Sequence, residues 1–171
     1  GRTLFMSLTF TLYDTGRAVQ PFLPPGLEPI EGLNDLPGFN VHERLFDNRI
    51  YCNMTKVLSR DPVNPLDLSA AECEARRQLA RVLHYLQTKC HPRHALASSG
   101  AKIGIREGRR LVGDYVLKKE DILGEKPFDC PDGVAVATAQ IDFHSLTRFG
   151  NHGWRQGVRP YPIPFRSMVA K

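Results

Sequence analysis

Residues 106–110, Arg-Glu-Gly-Arg-Arg, place three guanidinium groups and one carboxylate around a glycine. Their flanks are apolar, with Ala101, Ile103 and Ile105 before them and Leu111 and Val112 after. A guanidinium presents two parallel N–H donors that match the two oxygens of a carboxylate or phosphate. In an extended stretch with Ile103 and Ile105 facing a core, Lys102, Gly104 and Arg106 share the opposite side. Gly104 leaves room there for a flat ligand or another backbone, and Gly108 lets the chain bulge so that Arg109 and Arg110 turn toward the same region. Glu107 pairs with one arginine and leaves net positive charge for an anion. The same residues also read as internal ion pairs along a solvated edge, and their types alone leave both readings open.

The elements that must position this cluster belong to a chain of 171 residues. A domain of that size buries roughly 70% of the surface its unfolded chain exposes. Hydrophobic residues make up 42% and charged residues 24%, ordinary values for a globular protein. The net charge of +5 permits attraction to anions without implying nucleic acid. Cys52, Cys73, Cys90 and Cys130 are dispersed with no C-x-x-C pair, which excludes a local zinc ribbon or iron–sulfur loop and suits free thiols in a reducing compartment. No apolar run is long enough for a bilayer and the start lacks a signal-peptide pattern, so a soluble cytoplasmic protein is expected.

Residues 4–13 alternate as a half-buried strand, with Leu4, Met6, Leu8, Phe10 and Leu12 on one side. The chain enters this strand almost at once, as if cut from something longer. Residues 15–40 are rich in Pro and Gly and read as a long irregular loop. A second strand is expected over 49–58, with Ile50, Cys52 and Met54 on one face. Ser69 and Glu72 form a capping-box pattern at the start of one long helix. Ala75, Leu79, Val82, Leu83, Leu86 and Cys90 line its apolar side before Pro92 ends it. A third strand is expected over 99–106, a turn of helix over 118–123, a further strand over 133–143, a loop-like tail over 145–164 and a short strand in "YPIPFRSMV". The order predicts a single α+β domain over 1–171, a mainly antiparallel β-sheet with the long helix packed on one face and long irregular loops.

"IGIREGRRLVGDYVLKKEDIL" resembles the Ile-Gly-(Ile/Val)-Arg-Glu-(Ser/Thr)-Arg-Arg-(Ile/Leu)-Val-Gly-(Asp/Glu)-Tyr segment of a family of FAD-dependent oxidoreductases. "NMTKVL", the run from Asn64 through Gln78, "QIDFH" and "YPIPFRSMVAK" resemble further segments of that family in the same order. Gly108 stands where the family has a small hydroxyl residue. Pro162, Phe165 and Ala170 replace its Asp, Tyr and Pro. No G-x-G-x-x-G occurs in the sequence.

The resemblance therefore implies the middle, substrate-cap domain of a larger flavoprotein. Its partner would be the dinucleotide-binding domain of the same parent chain, with a final flavin-contacting stretch also lying outside. FAD is expected in the full-length protein and not on this chain alone, and its contact residues stay unassigned. The resemblance also implies Arg106 and Arg109 as pocket residues that hold an anionic group of a small-molecule substrate or polarise a carbonyl. Arg166 is a second pocket candidate, and Arg110 a structural partner of Glu107 or Asp114. His144 is a general acid or base, or a satisfied histidine at a strand end. Tyr115 and Tyr161 read as packing residues. Two other readings compete. Arg106, Arg109, Arg110, Lys118 and Lys119 form the track of an anion or nucleic-acid binding module, although no aromatics interleave them to stack bases. Cys90, His91 and His94 supply metal-ligand types without a fourth ligand nearby, so no metal is expected.

Overall fold

The computed structural model describes residues 3–125, 128–150 and 153–171. It divides into two compact units, one of Gly1–Gly108 with Ser145–His152, the other of Arg109–His144 with Gly153–Lys171. Together they are α+β, with antiparallel sheets and one long helix.

In the first unit β1 (Phe10–Asp14), β2 (Val41–Arg44), β3 (Ile50–Asn53) and β4 (His94–Ser99) form a sheet in the order β2-β3-β1-β4. All three pairings are antiparallel, and Phe10 lies opposite Cys52 on one side and Ser99 on the other. Helix α1 (Pro65–Lys89) shares its core, in which Leu8, Leu12, Cys52, Met54, Ala71, Val82 and Leu86 are all fully buried. Each buried leucine contributes on the order of 1.5–3 kcal/mol. Met6, Leu8, Phe10 and Leu12 are buried as expected, but Phe5 and Ser7 of the opposite side are buried too, so the alternation fails over 5–8, and regular pairing begins only at Phe10.

Several expectations need correction. Helix α1 starts at Pro65, not after Ser69: Asn64 Oδ1 accepts from the N–H groups of Leu66 at 2.9 Å and Asp67 at 3.4 Å. Asn followed by Pro is the stronger start, because the proline needs no partner for an N–H it lacks. Ser69 donates instead to the Pro65 carbonyl. Cys90 is exposed and does not continue the apolar stripe. The strand expected over 99–106 lies earlier, as β4. Pro92 and Arg93 turn the chain straight out of the helix into pairing with β1. Only an isolated bridge, Ser7 with Gly104, remains of the expected span, so Ile103 is buried while Ile105 is 47% exposed.

The second unit holds a short helix, α2 (Lys119–Leu123), and two two-stranded ribbons. β5 (Gly133–Ala137) pairs with β8 (Tyr161–Pro164), and β6 (Ile141–His144) with β7 (Gly153–Gln156). The single strand expected over 133–143 is thus two strands with different partners. β7 falls in the stretch expected to be loop, and its Trp154 stacks on the cross-strand Phe143 with ring centroids 4.8 Å apart. Among the described residues of this unit only Gly113 and Pro164 are buried. Among the described residues no helix is long and apolar enough to cross a membrane.

Candidate functional site

The strip carrying Arg106 is fixed against residues 4–7. Ser7 and Gly104 exchange backbone hydrogen bonds of 3.2 and 2.7 Å. A Cβ on Gly104 would stand 2.9 Å from the Ser7 carbonyl oxygen, so the close approach requires glycine. Three residues on, Glu107 Oε2 accepts from the Leu4 N–H at 2.8 Å. Between these anchors the Arg106 guanidinium lies over the Phe5 ring, 4.4 Å from its centroid.

A second cation meets the same ring. Lys56 Nζ is 4.8 Å from the Phe5 centroid and 5.4 Å from that of Phe39, and the Lys56 side chain is fully buried. Its backbone is held from α1 by Gln78, which accepts from the Lys56 N–H at 2.8 Å and donates to its carbonyl at 3.0 Å. Nζ donates to the Gly150 carbonyl across 3.4 Å, and among the described residues no carboxylate forms an ion pair with it. Burial first, and the Arg106 charge second, hold the Lys56 ammonium below its ordinary pKa. An aromatic face returns about 2 kcal/mol to a desolvated cation, against a cost of several kcal/mol for burying one.

Sequence reasoning did not single out Lys56, yet a signal was present. It follows Ile50, Cys52 and Met54 at the same parity, so the apolar face of the second strand runs into an ammonium. A cleft of about 580 Å3 in the first unit is lined by Leu4, Phe5, Gly108, Leu146 and Thr147, with Arg60 and Asp67 paired at 3.1 Å in its wall.

The other expected residues belong to the second unit. Arg109 is exposed and has no ion pair among the described residues. Arg166 is committed: its guanidinium pairs with Asp132, donates to the Asp129 carbonyl at 3.2 Å and lies 4.9 Å from the Tyr115 ring centroid. Holding a ligand would require it to release Asp132. Hydrogen bonding from the Arg166 backbone is the main cause that keeps the Asp132 carboxyl below its usual range. His144 ends β6 with Nε2 3.2 Å from Asp142 Oδ2. Tyr115 donates to Asp121 at 2.7 Å, which raises its phenol pKa, and stacks on Phe128, a packing role. Tyr161 opens β8. Arg110, Lys118 and Lys119 share this unit with Arg109, so the five cations of the anion-track reading divide one against four between the two units.

Near the metal-ligand types, His42 Nδ1 and His91 Nε2 lie 2.9 Å apart, with the His94 ring 5.3 Å from that of His91. Among the described residues no group of three His, Cys, Asp or Glu is placed to hold a metal ion.

A dinucleotide needs free N–H groups at a helix N-terminus or a glycine-rich turn. The only long helix among the described residues, α1, has its first-turn donors occupied by Asn64, with Asp67 in that turn. The charge there repels a pyrophosphate, and α2 has only five residues. Neither helix N-terminus among the described residues fits a pyrophosphate.

The model of a family described as FAD dependent oxidoreductase matches residues 11–171. No curated protein and no solved structure matches the chain. FAD is accordingly the cofactor expected of the full-length protein. With the match running from β1 to the last residue, the chain belongs to the FAD dependent oxidoreductase family.

Proposed function

We propose that this chain is the substrate-side cap of a flavoprotein oxidoreductase, with the dinucleotide-binding domain of the same parent chain holding the FAD. The absence of any G-x-G-x-x-G supports this division of labour, as does the blocked N-terminus of α1. The thinness of the second unit supports it too. Leu111, Val112, Val116, Val134, Val136 and Trp154 are all more than half exposed, and apolar surface on this scale usually marks a contact with further protein.

The observation that carries the reading is Arg106. Its guanidinium is oriented on Phe5 and has no ion pair among the described residues, so it is free to hold an anionic substrate group. Arg109, exposed and without an ion pair among the described residues, is the corresponding anion-holding candidate of the second unit taken by itself. His144, paired with Asp142, is the proton-handling group.

The test uses the full-length protein and anaerobic bleaching of its flavin absorbance. Reduced donors carrying a carboxylate or phosphate are compared with neutral counterparts. Anionic donors are expected to react preferentially. Arg106→Gln should lower kcat/KM for them roughly 10- to 150-fold with flavin content unchanged, since a hydrogen bond to a charged group contributes about 1.5–3 kcal/mol. A flavin-free parent, or equal reactivity of neutral donors before and after the substitution, would overturn the reading.

A further inference from the structure

We propose that Lys56 and Arg106 form the inner and outer halves of one oxyanion-binding centre built on Phe5, which takes a carboxylate or phosphate oxygen. Its place in turnover rests on the cap reading above, but its existence does not.

Two cations share one ring. Arg106 is exposed and lies 4.4 Å from the Phe5 centroid, while Lys56 is fully buried and lies 4.8 Å from it. The Arg106 charge disfavours the Lys56 ammonium, and the fold does not balance that ammonium with a carboxylate among the described residues. The carboxylate on the strip, Glu107, directs Oε2 to the Leu4 N–H at 2.8 Å. Among the described residues Nζ has one long hydrogen bond, 3.4 Å to the Gly150 carbonyl, for three donors. A buried ammonium in that condition is an incomplete ion pair, and an anion completes it.

The placement is fixed by backbone rather than by chance side-chain packing. Gln78 pins Lys56 on both backbone groups. Met6 and Val57 exchange hydrogen bonds of 3.1 and 2.8 Å, and Ser7 and Gly104 bridge on the other side. Phe5 is thereby held between the two segments that carry the cations. Gly150 ends the segment 145–150; its φ of +75° suits glycine, and its N–H donates to the Pro37 carbonyl at 3.0 Å. Leu146 and Thr147 of the same segment line the cleft that Phe5 also lines. An oxyanion entering past Arg106 takes the place of the Gly150 carbonyl as acceptor, and its parent molecule has the cleft beside it.

The test is done on this chain without flavin. Inorganic phosphate and acetate are titrated at constant ionic strength against a chloride control, with affinity read from the thermal midpoint and from calorimetry. The wild type is expected to bind at least one of them. Lys56→Met and Arg106→Gln should each weaken that binding tenfold or more while circular dichroism stays unchanged. A response to phosphate alone assigns a phosphorylated ligand, and a response to acetate alone assigns a carboxylate. Undiminished binding in both variants, or a wild type that responds no more than to chloride, overturns the centre. If Lys56→Met does not fold, Arg106→Gln decides the matter, since its side chain is exposed. Anion binding here with a flavin-free parent would leave the centre standing while removing the cap reading. A flavin-bearing parent with no anion binding here would do the reverse.

Discussion

Lys56 continues a buried series, Ile50, Cys52, Met54, at the position where an apolar side chain would serve stability better. Its unfolded-state pKa is 10.5, and burial with the Arg106 charge lowers the folded-state value. Between the folded value and 10.5 the unfolded chain binds more protons, so stability rises with pH across that window. Below the window the full penalty remains. Lys56→Met should therefore be more stable than wild type at neutral pH, with the gap closing as pH approaches 10.5, measured by urea unfolding at several pH values. A variant less stable than wild type at every pH would show that the ammonium is already well compensated. Gln78→Leu should act oppositely. It strips partners from the buried N–H and carbonyl of Lys56, at about 1–3 kcal/mol each, and should lower the urea midpoint accordingly. Arg106 was legible in the sequence as a charge among hydrophobes, and Lys56 was legible in principle through its parity. Their meeting on Phe5 was not, because residues 5, 56 and 106 are joined only by pairing of distant segments.

Three elements converge at a histidine joint. His42 belongs to β2, His91 follows the end of α1 and His94 opens β4. Burial first, then the charges of His42, His94 and Arg44, push the His91 imidazole down from 6.5 to about 4. The folded protein therefore resists a proton that the unfolded chain accepts, and stability is lost as pH falls from 6.5 to about 4. His91→Gln removes the titrating group while keeping a polar partner for His42 Nδ1. Its thermal midpoint should fall less than that of wild type over this window, and an identical decline would assign the acid sensitivity elsewhere. The elements themselves were unevenly legible. Helix α1 shows plainly through its spacing of Ala75, Leu79, Val82 and Leu86, while its start turned on Asn64-Pro65 outcompeting the capping box at Ser69. β4, "HALASS", carries small residues with little alternation, and the partner β1 decides it. β7 has no period of its own over four residues and exists by pairing Trp154 with Phe143.

The two units differ in what holds them, and composition averaged over the chain hides that difference. "GVAVA" reads as the inside of a core, yet Val134 is 54% and Val136 69% exposed. The first unit has a sheet and a helix closing on a continuous apolar cluster. The second has two ribbons, and a two-stranded ribbon is marginal in water without something packed on it. Its local contacts among the described residues include the Arg166–Asp132 pair and the stacks of Tyr115 on Phe128 and Trp154 on Phe143. Local opening should therefore be far easier there than in the first unit. In native-state hydrogen exchange on this chain, amides of β5, β6, β7 and β8 are expected to exchange well before those of β1 and α1. In the full-length protein the cap reading requires the ribbons to gain protection, because the apolar side chains now exposed would be covered. Equal protection of both units in this chain would mean that the ribbons are held by more than the contacts described. Ribbons that stay unprotected in the full-length protein would mean that their apolar face serves some other partner.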